Sequence, residues 1–303
     1  MVKQIGRALL LVGWLTALAS PALSRETVLL VAPPFSPVSH ELRQFLAELG
    51  GARYDFVLVN QDEVLSLESQ PDMLKGARVI TLGVEALQAA ATRLEDAPVL
   101  AMFIRQDQYR EQSKAFSLSS RQYSAIYLES PPRRQLNLIS ILMPQARSVA
   151  MLNSMNAKTE PPEGPLKVNS YLVSDAEALP RLLVRALRQN DALLATADPS
   201  LYNRQQTKLI LLSAYRLNRP VFGPSLAFVR AGSLATTFSS IGDFSREVIE
   251  ALEFHDQHGY WPKAGYSRYF SVAVNRRVAR SMSLNPPDDE VLRHELERME
   301  SQP

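Results

Sequence analysis

The residues whose types and spacing could do chemistry in this 303-residue chain are few. His255-Asp256-Gln257-His258 sets two imidazoles three positions apart, a spacing that could share a metal on one helix face. The pair stands just before Gly259, where a helix ends and polar side chains cap carbonyls, and the solvated helix end is the favoured reading. Asp288-Asp289 pairs two carboxylates, but adjacent positions diverge on a helix, so they favour a helix N-terminus through its dipole. Gly223-Pro224-Ser225-Leu226-Ala227 matches part of a nucleophile elbow and lacks its last glycine. Ser225 is therefore open to three readings: nucleophile, ligand hydrogen-bonding group or plain turn residue. Asp198, within Ala195-Thr-Ala-Asp-Pro-Ser-Leu-Tyr-Asn203, could accept hydrogen bonds from a ligand ammonium or cap the helix beginning near Ser200. Tyr202 and Phe228 follow strand-like runs and either stack on an apolar ligand or pack beneath their loops.

What is missing narrows the chemistry further. With no cysteine, disulfides, thiolate metal sites, thiol nucleophiles and an acylated-cysteine anchor are excluded. No Gly-rich phosphate loop follows any strand, so no nucleotide cofactor is expected, nor a cofactor of any other kind. Lys3 and Arg7 precede an apolar run from Ala8 to Ala19, and Ala22-Leu23-Ser24 supplies small residues for a signal peptidase. The run falls short of the roughly 20 residues that cross a bilayer. Residues 1–24 thus predict a cleaved export signal and a periplasmic mature chain starting near Arg25. Removing Lys3 and Arg7 from 33 cations leaves 31 against 31 acidic residues, a neutrality that argues against a nucleic-acid partner.

The elements that must position these residues come as two repeating sets. Val28 to Ala32, Phe56 to Val59, Val79 to Leu82, Val99 to Phe103 and Ala125 to Leu128 are continuous apolar runs, the pattern of parallel strands buried on both faces. Val149 to Leu152, Val168 to Val173, Ala192 to Ala195, Val221 to Gly223, Leu234 to Phe238 and Tyr269 to Val274 repeat it. Helical stripes lie between, such as Leu42, Phe45, Leu46 and Leu49, or Leu179, Leu182, Leu183, Ala186 and Leu187. Strand and helix alternating in this way predict an α/β fold of two doubly wound parallel-sheet lobes. The expected division is residues 25–122 plus 260–284 in an N-terminal lobe, 123–259 in a C-terminal lobe, and a charged tail, 285–303, as a short surface helix.

Four blocks in order carry a family resemblance. They are Tyr123 to Pro144 followed by Ser148 to Leu152, then Asp191 to Pro199, Arg219 to Ala235, and Arg268 to Leu284. Together they resemble the ABC transporter substrate-binding proteins that include tryptophan and tyrosine binders. The resemblance implies a type I periplasmic binding fold whose lobes are joined by three crossings, near Ser117 to Tyr123, Thr236 to Ser240 and Tyr260 to Ser267. It further implies a non-enzymatic protein, a small ligand such as an amino acid or related amphipathic solute, and an inner-membrane ABC permease or other envelope protein as partner. The family's acidic second-lobe residue corresponds to Asp198, here set between Ala197 and Pro199 rather than in a Thr-Asp-Asn context. Strand-end position selects Phe35, Ser36 and Gly83 as first-lobe contacts, and Ser154, Asn156, Asp198, Tyr202, Ser225 and Phe228 as second-lobe contacts.

Overall fold

The computed structural model describes residues 25–64, 75–94, 96–155 and 161–301. The expected export signal, 1–24, and the expected ligand contact Asn156 lie outside the described residues. Strands β1 (Glu26–Ala32), β2 (Tyr54–Asn60), β3 (Arg78–Leu82), β4 (Val99–Ile104), β5 (Tyr123–Tyr127) and β11 (Gly265–Tyr266) form one sheet in the order β11-β5-β4-β3-β1-β2. Every pairing in it is parallel. Strands β6 (Ser148–Ser154), β7 (Lys167–Val173), β8 (Ala192–Leu194), β9 (Val221–Phe222), β10 (Ala235–Phe238) and β12 (Ser271–Val274) form the other, in the order β12-β10-β9-β8-β6-β7. Here only the edge strand β12 runs antiparallel, against β10.

The apolar runs form central strands because helices cover both faces of each sheet. In the first lobe, α1 (Pro37–Gly50) and α8 (Ile241–His258) pack on one face, joining Leu42, Leu46, Phe244, Val248 and Leu252 in one core. Helices α2 (Val84–Arg93) and α3 (Gln106–Ala115) flank the other. The predicted stripe on α1 is narrower than its sequence: Leu42 and Leu46 are buried, whereas Phe45 and Leu49 are exposed. In the second lobe, α5 (Leu179–Gln189) buries Leu179, Leu183, Ala186 and Leu187 beside α6 (Arg204–Arg216). The opposite face takes α4 (Pro132–Leu142), α9 (Arg276–Ser281) and α10 (Asp289–Ser301), with α7 (Leu226–Ala231) packing beside β10 and β12.

The sheets divide the chain differently from the sequence-based boundaries. Strand β5 pairs with β4, so 123–127 belong to the first lobe, and α8 packs on α1, so 241–258 do as well. Strand β12 joins the second sheet, which moves 271–274 out of the first lobe. The chain therefore crosses at 128–131, 239–240 and 267–270 rather than at two of the three expected segments. An apolar run reports that a strand is buried but not which sheet buries it, which is why these boundaries shift. The crossings lie side by side: Ser130 Oγ donates to Thr237 O at 2.9 Å, and Ser239 Oγ to Tyr269 O at 2.7 Å.

The tail is also more than a surface helix. Leu292 and Leu296 on α10 are fully buried against the second-lobe core, while Val291 faces solvent. Arg134 on α4, itself buried, donates through Nε to Glu300 Oε1 at 2.6 Å and stacks its guanidinium over Phe270 at 3.9 Å. The His255/His258 segment is a helix end. Gly259 closes α8 in the left-handed conformation (φ 74°), His255 packs on Trp261, and His258 stacks on Phe254.

Candidate functional site

Parallel strands deliver their C-terminal ends, and the loops that follow, to one edge of each sheet, and in open α/β sheets ligands bind there. The first lobe shapes its edge with a bulge in β4. The register with β5 shifts between Ala101 and Ile104, and Phe103 takes a left-handed φ of 51°. The irregularity precedes the Arg105-Gln106-Asp107 turn, which opens α3. From the second lobe, β8 runs out through Ala195, Thr196 and Ala197 to Asp198. Between these two edges lies a cavity of about 150 Å³. Its walls combine the 105–107 turn and Tyr266 from the first lobe, Glu129 and Ser130 from the first crossing, and Gln135, Met151, 194–198 and Pro224 from the second.

A larger hollow of about 450 Å³ lies between β5, α8 and the third crossing. It takes its lining from the first lobe and that crossing alone, and two of its acids, Glu247 and Glu250, already hold Arg268. Size favours that hollow, whereas position at the strand ends and walls from both lobes favour the smaller cavity. Position decides, because a ligand couples two lobes only by touching both.

Charge in the interlobe cavity is arranged around carboxylates. Glu129 Oε1 accepts the Gln106 backbone N–H at 2.9 Å, filling the N-terminus of α3. Its Oε2 is buried without a hydrogen-bond partner. Burial pushes the Glu129 carboxyl above the usual range, with Asp107 adding to the rise while the N–H groups of Gln106 and of Glu129 itself, and Arg105, oppose it. Arg105 is engaged by Asp107 through Nε at 3.0 Å and Nη2 at 3.1 Å. Tyr266 donates to Gln106 Oε1 at 3.2 Å, and burial beside Glu129 raises its phenol to about 12. Gln135 and Ser130 are turned to the backbone of β10.

The structure brings one sequence-selected residue, Asp198, into this cavity. Its Oδ1 accepts the Ser200 N–H at 2.9 Å and the Ser200 hydroxyl at 2.6 Å, the capping geometry weighed against a ligand contact. Burial raises its carboxyl, but hydrogen bonds from Ser200 and Ser154 outweigh that and hold it below the usual carboxylate range. Ser154 thus stands beside Asp198 at the end of β6. Tyr202 and Phe228 meet edge to face at 5.8 Å, and both line an outward-facing groove of about 600 Å³ beside α6 rather than the interlobe cavity. Ser225 is the half-buried residue before α7 and makes no capping hydrogen bond. Phe35, Ser36 and Gly83 follow β1 and β3 outside the cavity, and Phe35 is 99% exposed at φ 57°. Sequence reasoning missed Glu129, Arg105 and Tyr266. Glu129-Ser-Pro-Pro132 has no motif, but its place directly after an apolar run was the signal that could have found it.

No family model matches the chain, and no curated protein matches it. Solved structures do. The chain is similar to an ABC domain in complex with L-Trp from Streptococcus pneumonia, at 15% identity and a TM-score of 0.54, covering 89% of this chain and 98% of that one. It is similar to a ligand-free, open substrate-binding protein with adhesive properties from Clostridium difficile, at 14% identity and a TM-score of 0.66, covering 88% and 97%. A transcriptional activator of the comK gene from Bacillus halodurans also aligns, at 9% identity and a TM-score of 0.50, covering 89% and 94%. Identities this low speak for architecture alone: two six-stranded α/β lobes joined by three crossings, the type I periplasmic binding protein fold.

Proposed function

We propose that the chain is an exported solute-binding protein of an ABC-type uptake system, which closes its two lobes around a small ligand and presents the closed form to an inner-membrane permease. The observation that carries this reading is the cavity walled by both lobes at the carboxyl ends of their strands. A ligand that touches both walls shifts an open/closed equilibrium by its differential contacts. The fully exposed Phe35 supports the reading, since closure would bring the first-lobe loops that hold Phe35, Ser36 and Gly83 toward the second-lobe edge. The signal-like pattern of residues 1–24 supports a periplasmic location, which intact mass of the periplasmic fraction checks. The 9%-identical activator means that the fold by itself does not select between transport and regulation.

Native mass spectrometry of freshly purified mature protein, followed by small-angle scattering with and without the solute it carries, tests the reading. A co-purified small molecule and a more compact profile on binding are expected. A confirmed ligand that leaves the profile unchanged removes hinge closure. A chain that carries no solute, and gains no stability from a broad solute screen in which a ligand at 100 times its Kd would add about 2.7 kcal/mol, is instead an envelope interaction protein on the same fold.

A further inference from the structure

The interlobe cavity fills its own anion-receiving positions. Helix N-termini and free guanidinium groups are the usual receivers of a ligand carboxylate or phosphate. At the first-lobe edge, the Gln106 N–H is taken by Glu129 Oε1 and the Gln108 N–H by Asp107 Oδ1. The Arg105 guanidinium is gripped by Asp107 at two nitrogens. At the second-lobe edge, the Ser200 N–H is taken by Asp198. Helix α4 opens on Pro131-Pro132, and Pro224 precedes the residue before α7, so these prolines offer no N–H to the cavity. Among the described residues, the charged groups of the lining, Arg105 against Asp107, Glu129 and Asp198, leave an excess of two negative charges. Two carboxylate oxygens of that lining, Glu129 Oε2 and Asp198 Oδ2, are buried with no hydrogen-bond partner. A buried, unmatched acceptor costs free energy that a charged donor repays.

We infer that the cleft selects a cationic amine lacking a carboxylate, its ammonium donating to Glu129 Oε2 with the Tyr266 ring as the adjoining wall. The inference rests on the solute-binding reading and names its ligand class. A free α-carboxylate would meet Glu129 and Asp198 across about 150 Å³ with no unpaired guanidinium among the described residues of the lining to receive it.

The test is titration calorimetry of the mature full-length chain with amines and their carboxylated counterparts: tryptamine against tryptophan, agmatine against arginine, putrescine against ornithine. In any pair that binds, the amine is expected to be at least tenfold tighter, and Glu129→Gln is expected to weaken the amine by tenfold or more. Asp289→Asn, on the distant tail helix, serves as the control and leaves affinity unchanged. Tighter binding of the carboxylated member, or an unaltered amine affinity in a Glu129→Gln chain that still melts cooperatively, overturns the inference. So does failure of every amine to bind, and in that case a solute seen by native mass spectrometry would leave the solute-binding reading standing while the amine assignment falls.

Discussion

The two ends of the first-lobe sheet treat buried carboxylates in opposite ways. At the N-terminal end, Asp256 on α8 receives the Arg53 guanidinium at 2.6 Å, the Tyr54 hydroxyl at 2.6 Å, and Arg78, which also pairs with Glu26. Burial, aided by Asp256, pushes the Tyr54 phenol well above its ordinary value, so it stays a donor. At the C-terminal end, Glu129 is served by the backbone N–H groups of Gln106 and of Glu129 itself, is in no ion pair among the described residues, and keeps Oε2 buried without a partner. A charge paired with two guanidinium groups fixes β1, β2, β3 and α8 to one another. A charge left short of donors costs stability and is understandable where a ligand completes it.

The largest effect that could break this comparison is expected from Asp256→Ala. It strips the partner from Arg78, whose side chain is 11% exposed, and should cost about 3 kcal/mol in urea unfolding while leaving solute affinity intact. A tenfold loss of affinity in that variant would make the two ends one system.

Next comes Asp198→Ala, expected to cost about 1 to 2 kcal/mol through loss of the Ser200 contacts, with Asp198→Asn losing less because its amide oxygen still accepts. Since the fold holds the Asp198 carboxyl low, its contribution is present above the unfolded pKa of about 3.9 and is lost as pH falls through the folded value. The gap between wild type and Asp198→Ala should narrow correspondingly in acid, measured by thermal melts over pH. If Asp198 also contacts the ligand, the reading that its strand-end position suggests, Asp198→Asn weakens binding by one to two decades. Wild-type affinity in that variant would leave the residue a cap and nothing more.

The smallest effect has the opposite sign. Glu129 is held high, so the cost of ionising it is absent below the unfolded pKa of about 4.3 and grows as pH rises through the folded value. Glu129→Gln should therefore match wild type in acid and exceed it at pH 7, by less than about 1 kcal/mol. Destabilisation at pH 7 would place Glu129 with Asp256 among the structural charges.

The sequence by itself determined every strand but β11, several of the helices and the fold class. Val28 to Ala32 and Val79 to Leu82 announce themselves because a parallel sheet covered on both faces needs unbroken apolar runs. It also supplied Asp198, since a strand-end carboxylate before a proline is a local pattern. Tertiary structure alone decided which sheet took β5, α8 and β12, and that the tail helix buries Leu292 and Leu296. It alone assembled the cleft. Glu129 meets its donor Gln106 across 23 positions and Tyr266 across more than a hundred, and no local periodicity records a contact of that span. Burial is written residue by residue in hydrophobicity, whereas the matching of a charge to its donors is a property of elements brought together, and it exists only once they have packed.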